Sequence, residues 1–363
     1  MVMYIATYII DIAALFYLIG LVYSSTSLKC DRKNPFLISI ILTIIIILSE
    51  AGSIFAENGS LNLRSINILC NILGFALTPI IPIAITLIFD KSILRKHKLM
   101  LVPTLINIVA TVLSPLFRFI FYVDFNNHYI RGDYFFIFIT VYIINLLLLV
   151  IRTIQAGKKY NYPIMYKMLA LSLFTIIGTS IQLVNPLAYS SWHCVTLSLL
   201  LYLFLMSEFD SSFDTLTGLY NRAAFDKATK QIAGSKAFSI IILDINDFKN
   251  VNDKYGHDHG DSIIKEVAAI IQKSFNKHYT CYRFGGDEFS IIGNETDKEK
   301  IENRLRIMTK NLTEMREKGK SLPTISYGYS IFRGGEKLDF DKTFKEADEQ
   351  MYYFKKIYKS DVT

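Results

Sequence analysis

The stretch Thr280-Cys-Tyr-Arg-Phe-Gly-Gly-Asp-Glu-Phe-Ser-Ile-Ile292 determines how the C-terminal part of this chain folds. Two β-rich segments flank Gly285-Gly286, a composition typical of a tight hairpin turn. Asp287 and Glu288 follow the turn directly, and adjacent residues on a strand point to opposite faces of its sheet. We therefore predict an antiparallel hairpin that carries two carboxylates beside its turn.

A second β-rich run, Ala237–Ile245, is short and apolar, which predicts a buried strand. This run carries Asp244 near its end. A carboxylate in that position needs a partner, and a cation is an obvious one. If this strand and the hairpin are neighbours, Asp244 converges with Asp287 and Glu288. Converging carboxylates bind Mg²⁺ in phosphoryl transfer, where the metal neutralises phosphate charge and activates a hydroxyl.

Five ordered segments resemble the GGDEF family of diguanylate cyclases. Gly285–Phe289 is the signature of that family, letter for letter, and Asp214–Arg222 is similar to its opening segment. Leu243–Asp261, which reads LDINDFKNVNDKYGHDHGD, resembles its metal and guanine segment. Ser326–Gly328 and Ala347–Lys355 are similar to its later strand and final helix.

The resemblance implies an α/β palm-like domain, with a central mostly antiparallel sheet, that condenses two GTP into cyclic di-GMP as a homodimer. It implies a site for Mg²⁺, with Mn²⁺ as the alternative, formed by Asp244, the carbonyl of Ile245, Asp287 and Glu288. The two signature acids are the expected catalytic residues, and one of them helps to deprotonate the 3′-hydroxyl of GTP. The expected GTP-binding residues are Phe248, Lys249, Asn252, His257, Asp261 and Lys355.

Three of these GTP-binding residues also have ordinary structural explanations. Asn252 is of a residue type that often caps helices, and His257 is of a type common at protein surfaces. Lys355 is next to Lys356, as expected on a solvent-exposed face of a helix. The register of the family favours the functional interpretation in each case.

The chain departs from the family at two places. Asn246 stands where the family usually has an acid, and Lys359 takes the place of an arginine after Lys355.

A third difference concerns feedback, because many family members bind their product through an Arg-x-x-Asp motif ahead of the signature. The corresponding positions here are Asn276 and Tyr279, which lack the guanidinium and the carboxylate. We therefore predict an active enzyme without product inhibition through this site.

The first part of the chain is too apolar for a soluble domain. A membrane-spanning helix needs about 20 mostly apolar residues. Seven stretches have that character: about 3–23, 36–56, 66–89, 99–122, 134–155, 168–188 and 192–207. We predict an α-helical membrane bundle of seven spans over residues 1–207, followed by a catalytic domain over residues 208–363.

Loop charge predicts the orientation of these spans. Basic residues crowd the loops after the first, third and fifth spans, and the other loops carry only Arg64 and Arg131. The positive-inside rule then places the N-terminus outside the inner membrane and the catalytic domain in the cytoplasm. Residues 208–363 hold 25 Lys and Arg and 25 Asp and Glu, so the net charge of +7 lies in the membrane part. A neutral soluble domain gives no indication of nucleic-acid binding.

Asp11, Glu50 and Arg118 fall inside predicted spans, in the outer half of the bilayer. Ionisable groups there are costly and usually face the bundle interior or a cavity. One interpretation is a sensor pocket for an unknown external ligand. In the other interpretation Arg118 reaches the lipid interface and the two acids make structural hydrogen bonds.

Three other functions fit parts of the sequence. A catalytically silent GGDEF domain would bind GTP or a partner, although the intact signature and Asp244 argue against it. A cyclase with a monocyclic product conflicts with the complete signature and with Asn252 and Asp261. A transporter or receptor with an incidental soluble tail leaves the five segments unexplained.

Overall fold

The chain forms two compact units, Met1–Asp210 and Ser211–Thr363. The computed structural model describes residues 2–59, 61–89, 98–160, 164–184, 191–232, 237–275, 278–320, 322–334 and 340–362. The division follows the change in composition, because the first unit is built from apolar helices and the second from a sheet and amphipathic helices.

In the residues that the structure describes, the N-terminal unit is helical apart from one small hairpin. Its helices are α1 (Val2–Ser24), α2 (Cys30–Glu57), α3 (Arg64–Leu77), α4 (Ile81–Phe89), α5 (Val102–Phe117), α6 (Phe136–Tyr160), α7 (Ile164–Val184) and α8 (Ser191–Asp210). A short 3₁₀ turn, Thr78–Ile80, connects α3 to α4. It accommodates Pro79, which lacks the backbone N–H that a continuous helix needs.

Six helical stretches within the described ranges are long and apolar enough to cross a membrane. They are Ala6–Ser24, Cys30–Glu57, Leu61–Phe89, Lys98–Phe117, Phe136–Gln155 and Ser191–Asp210. The remaining predicted span, 168–188, falls mostly on α7, whose described apolar stretch Tyr166–Ile181 is shorter. The structure therefore supports a helical unit with several candidate spans.

The predicted span 99–122 was too long. Helix α5 ends at Phe117, and Arg118 follows in the left-handed region with φ 58°. The chain then forms a hairpin from β1 (Phe121–Val123) and β2 (Tyr129–Arg131). The prediction that Arg118 lies inside a span is therefore wrong. Apart from Arg118, the sequence stays apolar from α5 through β1, so hydropathy could not distinguish the strand from more helix.

Buried hydroxyl groups join the last helices of this unit. Ser172 on α7 shares a hydrogen bond of 2.9 Å with the Tyr202 hydroxyl on α8. One turn further along, Thr175 and Ser198 lie 2.7 Å apart. Interhelical hydrogen bonds of this kind hold apolar helices together where the hydrophobic effect cannot.

A buried ion pair fixes the C-terminal end of α8. Arg32 Nε lies 3.1 Å from Asp210 Oδ2, with the two side chains 11% and 0% exposed. The same carboxylate oxygen accepts the backbone N–H of Lys29 at 3.0 Å. Arg32 also donates to the Ile88 carbonyl at 2.7 Å, and its guanidinium lies over the Phe209 ring. The last residue of α8 is thereby attached to the beginning of α2.

Replacing Asp210 with Asn should destabilise the N-terminal unit by about 3 kcal/mol, because it leaves the buried Arg32 charge uncompensated. Trp192 is the single tryptophan of the chain, so thermal unfolding followed by its fluorescence reports on this unit. Glu208→Gln is the matched control, since the Lys167–Glu208 pair is exposed and loosely spaced at 3.5 Å. Equal melting curves for the two variants would contradict the importance of the buried pair.

The C-terminal unit has a four-stranded antiparallel sheet in the order β4-β5-β3-β6. The strands are β3 (Phe238–Ile245), β4 (Tyr279–Arg283), β5 (Glu288–Gly293) and β6 (Ile325–Phe332). The helices are α9 (Arg222–Gln231), α10 (Phe248–Tyr255), α11 (His257–Ser274), α12 (Lys298–Glu317) and α13 (Phe340–Val362). The predicted mostly antiparallel sheet is confirmed.

The central strand β3 is buried along its whole length and faces two cores. Ile241 and Leu243 pack with residues of α11 and α12, while Ile240 and Ile242 pack with residues of α9 and α13. This alternation is the two-residue period of a strand covered on both faces. A continuous apolar run was therefore the correct signature of the strand that carries Asp244.

Candidate functional site

The site lies where β3 ends beside the Gly285-Gly286 turn. In the antiparallel ladder Asp244 on β3 is paired with Glu288 on β5 and, on its other side, with Ser326 on β6. The prediction that the strand and the hairpin are neighbours is confirmed. Directly paired residues have Cβ atoms about 5 Å apart on the same face of a sheet, so the two carboxyl groups share one face.

Helix α13 brings a lysine to this acid pair. Lys355 Nζ donates to Asp244 Oδ1 at 2.6 Å, and the Asp244 side chain is 6% exposed. This approach depends on Gly328 in β6. A Cβ atom there would lie 2.1 Å from the Ala347 carbonyl oxygen and 2.4 Å from the Met351 nitrogen, both on α13. Glycine therefore lets α13 pack closely enough on the sheet for its lysine to reach Asp244.

Around Glu288, negative carboxylate groups outnumber positive groups. Burial raises the pKa of Glu288, the nearby Asp244 and Asp287 carboxylates raise it further, and Lys355 lowers it in part. An acid with a raised pKa is destabilised in its ionised form and would be relieved by a cation. Within the described ranges, however, no group of three or more His, Cys, Asp or Glu side chains is arranged to hold a metal ion.

The segment after β3 turns sharply into two consecutive helices, α10 and α11. Asp247 precedes α10 in the left-handed region, with φ 52°, a conformation that aspartate tolerates better than most residues. On α10, Phe248 and Asn252 lie against Gly260 of α11, where a Cβ would come within 1.9 Å of Asn252 Oδ1. That oxygen is buried and accepts no hydrogen bond from the residues that the structure describes. Among the described residues this oxygen therefore lacks the hydrogen-bond donor that a buried acceptor normally has.

The other predicted GTP-binding residues lie at the surface of these helices. Lys249 is exposed on α10, and His257 and Asp261 are exposed on the first turns of α11. Lys355 is half-buried on α13. The structure therefore brings together Asp244, Glu288 and Lys355, and separately Phe248 and Asn252.

Asn246 has a structural role in this chain. Its Nδ2 donates to Thr324 Oγ1 at 2.9 Å, and its Oδ1 accepts the Ser326 hydroxyl at 2.8 Å. Its backbone N–H donates to the Thr324 carbonyl. An amide supplies both the donor and the acceptor that these contacts need, so the departure from an acid fits its surroundings.

The feedback position is described in part. Asn276 lies outside the described residues. Tyr279 begins β4 with 8% exposure, and its ring packs edge-on against Phe275. This tyrosine therefore packs in the core of the domain.

The membrane residues of the predicted sensor pocket have separate environments. Glu50 lines a cavity of about 360 Å³ in the N-terminal unit. Asp11 is buried and pairs with His193 Nδ1 at 2.6 Å. Arg118 is exposed at the end of α5, with its guanidinium over the Tyr122 ring, and does not line this cavity.

Comparison with known proteins gives one family match, described as "Diguanylate cyclase, GGDEF domain", over residues 211–360. Those residues form a GGDEF domain.

Relatives of this GGDEF domain occur in several bacteria. The chain is 33% identical over 153 residues to diguanylate cyclase VdcA of Vibrio cholerae, which covers 41% of this chain and 45% of that protein. It is 31% identical over 150 residues to diguanylate cyclase DgcS of Shewanella oneidensis, covering 39% and 49%. The chain thus spans about half the length of these relatives. The crystal structure of the GGDEF domain of DgcB from Caulobacter crescentus with c-di-GMP is 28% identical, covers 40% of this chain and 91% of that chain, and has a TM-score of 0.35.

An arginine that the sequence analysis passed over ties the start of the GGDEF domain to its signature turn. Arg283 Nη1 lies 3.1 Å from both Asp214 carboxylate oxygens, and its Nη2 donates to the Gly286 carbonyl at 2.8 Å. Thr217 donates to Asp214 from its hydroxyl and its backbone N–H. The feature of the sequence that could have identified Arg283 is its position two residues before Gly285, at the end of a strand beside a turn.

The pKa of Asp214 reflects these contacts. Burial would raise the pKa of this carboxyl, but the hydrogen bonds from Thr217 and Arg283 outweigh it and leave the pKa below the ordinary value of 3.8. A folded-state pKa below the unfolded value stabilises the fold above pH 3.8, and this stabilisation is lost as the pH falls through the folded value.

Replacing Asp214 with Asn should lower the stability of the GGDEF domain at pH 7 by about 2 kcal/mol, since it removes charged hydrogen bonds from a half-buried arginine. The difference from wild type should shrink once the pH falls below 3.8. Calorimetric melting of the full chain at several pH values measures both effects. Asp226→Asn, an exposed acid on α9, is the control. A deficit for Asp214→Asn that stays constant with pH would show that the carboxylate charge is unimportant.

Proposed function

We propose that this chain is a membrane-bound diguanylate cyclase, which condenses two GTP into cyclic di-GMP and releases pyrophosphate. The proposal rests on the pairing of Asp244 with Glu288 at the signature turn, with Lys355 donating to Asp244 at 2.6 Å. This group lies within the residues that match the GGDEF family. Carboxylates and an ammonium group on one face are the side chains that metal-assisted phosphoryl transfer needs.

The acids suit a divalent metal. Asp244, Asp287, Glu288 and the carbonyl of Ile245 are the groups that would hold Mg²⁺ or Mn²⁺, both of which prefer oxygen ligands. When bound, the metal neutralises phosphate charge and makes the 3′-hydroxyl of GTP easier to deprotonate. The raised pKa of Glu288 supports this assignment, because burial and two neighbouring carboxylates favour a cation there.

Lys355 changes partner in the proposed reaction. Its ammonium offsets the Asp244 charge in the structure, and the triphosphate of GTP offers it more negative charge at the same place. There it would stabilise the charge that develops on the phosphate during transfer. One of the two acids after the turn, Asp287 or Glu288, would accept the proton of the 3′-hydroxyl.

The guanine base would be bound by the two helices after β3. The buried Oδ1 of Asn252, which lacks a donor among the described residues, would accept an N–H of the base. Asp261 offers a second acceptor, while His257 and Lys249 are exposed nearby on the same helices. Phe248 supports Gly260 and so keeps α10 against α11.

The membrane unit would hold the enzyme at the inner membrane with its GGDEF domain in the cytoplasm. We propose seven spans in contact with lipid, with α7 as the sixth and the N-terminus outside, because the basic loops alternate. A signal received by the membrane unit would regulate turnover through α8, which ends at Asp210 immediately before the GGDEF domain.

Incubating the full chain in detergent with GTP and Mg²⁺, and identifying the product by mass, tests the activity. We expect cyclic di-GMP from the wild type and from the exposed control Asp226→Asn. Asp244→Asn should lower turnover roughly 100-fold or more, because it removes a metal-binding charge that contributes several kcal/mol to the transition state. A monocyclic nucleotide, or GTP binding without turnover, would replace this proposal with one of the alternatives.

Turnover should require two chains, since each GGDEF domain would supply one GTP and the product joins two. Activity per chain should therefore rise with enzyme concentration where dimers dissociate. Dilution in detergent, with the oligomeric state followed by light scattering, measures this. Constant activity per chain in a preparation shown to be monomeric would contradict the dimer.

A further inference from the structure

The cavity in the N-terminal unit is built at one end of the helix bundle. Its walls include the C-terminal part of α2, the start of α6, the first residues of α8 and strand β2. Asp210 and its partner Arg32 lie at the other ends of α8 and α2. Trp192 in the cavity wall and Asp210 are 18 positions apart on one helix, which separates them by about 27 Å. The cavity therefore lies at the end of the bundle opposite to the chain's exit into the GGDEF domain.

The charged residues of the cavity sum to an excess of negative charge. Glu50, Glu57 and Arg131 line it, which gives two carboxylates and one guanidinium. Glu57 accepts the Tyr129 backbone N–H at 3.0 Å, and Arg131 bonds to the Tyr129 hydroxyl. The opposite charges of Glu57 and Arg131 are thus both next to Tyr129. Glu50, two helical turns from Glu57 on α2, adds a carboxylate on another part of the wall.

Aromatic rings form part of the wall of the cavity. The indole N–H of Trp192 donates to Glu50, and Phe75, Phe138 and Tyr142 also line the space. Aromatic faces attract cations, most strongly when the site is desolvated. A carboxylate among such rings favours an ammonium group over a neutral or acidic one.

We propose that this cavity is a binding site for a small organic cation, an ammonium group on an apolar or aromatic body. The ammonium would meet Glu50 and the ring of Trp192, and the body would lie against the rings of Phe75 and Phe138, which pack edge to face with centroids 5.0 Å apart. A cavity of about 360 Å³ is at the small end of the range for ligand sites, which suits a compact amine. Glu57 and Arg131, which contact Tyr129, offer partners for a polar group on the same ligand.

The same residues connect the ligand to α8. Trp192 bonds to Glu50 on α2, and the adjacent His193 pairs with the buried Asp11 on α1. A cation that competes for Glu50 changes the attachment of the first turn of α8. The binding site stands independently of the cyclase activity, whereas its effect on turnover rests on the proposed function.

Trp192 is the single tryptophan of the chain and lies in the cavity wall, so its fluorescence reports binding without any need for activity. The full chain in detergent is titrated with 2-phenylethylamine and with benzyltrimethylammonium, and with neutral 2-phenylethanol for comparison. We expect a saturable change in Trp192 emission with the cations and at least tenfold weaker binding of the alcohol.

Two variants and one control make the test specific. Glu50→Gln keeps an acceptor for the indole N–H but removes the charge, and should weaken cation binding at least tenfold. Gly74→Leu fills the cavity, since a Cβ there meets no atom within 4 Å, and should abolish binding while leaving the helix intact. Glu208→Gln, the same substitution at the opposite end of the unit, should bind normally.

The proposal fails if neither cation gives a saturable signal at millimolar concentration. It also fails if the alcohol binds as well as the cations, or if folded Gly74→Leu still binds them. Where Glu50→Gln does not fold, the Gly74→Leu result decides. Loss of cyclase activity leaves these binding measurements untouched, so the two proposals can fail separately. If both hold, a bound cation should change the rate of cyclic di-GMP synthesis in the wild type and not in Gly74→Leu.

Discussion

The Asp244 carboxylate at the end of a fully buried strand is the constraint on which the C-terminal unit depends. An acid with 6% exposure must have a partner, and Lys355 from the last helix is that partner. The pair spans 111 positions of sequence, so it forms only when the sheet and α13 are both in place. Asp244, which the proposed chemistry needs, thus also helps to fix the position of the C-terminal helix α13.

Close packing makes the contact between Asp244 and Lys355 possible. Gly328 in β6 and Gly260 in α11 stand where a Cβ would clash with backbone or with a packed side chain, and each brings a proposed substrate-binding residue into position. The network around Arg283 attaches the beginning of the domain to the signature turn through Asp214 and Gly286. The site is therefore held by contacts from several separate segments of the chain, as a preorganised electrostatic site requires.

The N-terminal unit uses buried polar contacts in a different way. Two hydroxyl pairs, one turn apart, join α7 to α8, and charged contacts occupy the two ends of α8. His193 and Trp192 attach its beginning to α1 and α2, while Asp210 attaches its end to Arg32. Ionisable groups are rare inside membrane bundles and concentrate where ligands or movements are handled. A helix held by charges at both ends is suited to transmit a change from one end to the other.

The sequence by itself determined the elements whose signal is local. The apolar run 238–245 showed the central strand, Gly285-Gly286 showed the hairpin, and the ordered motifs indicated the family, because strand burial and tight turns impose strong local patterns. Only the tertiary structure decided the rest. It ended α5 at Phe117, paired Asp244 with Glu288 and Lys355, revealed Arg283, and placed Glu50 beside Trp192 in a cavity that neither Asp11 nor Arg118 lines. Such contacts join residues far apart in the chain, and hydropathy is alike for a lipid-facing helix and a buried strand, so no local pattern carries them.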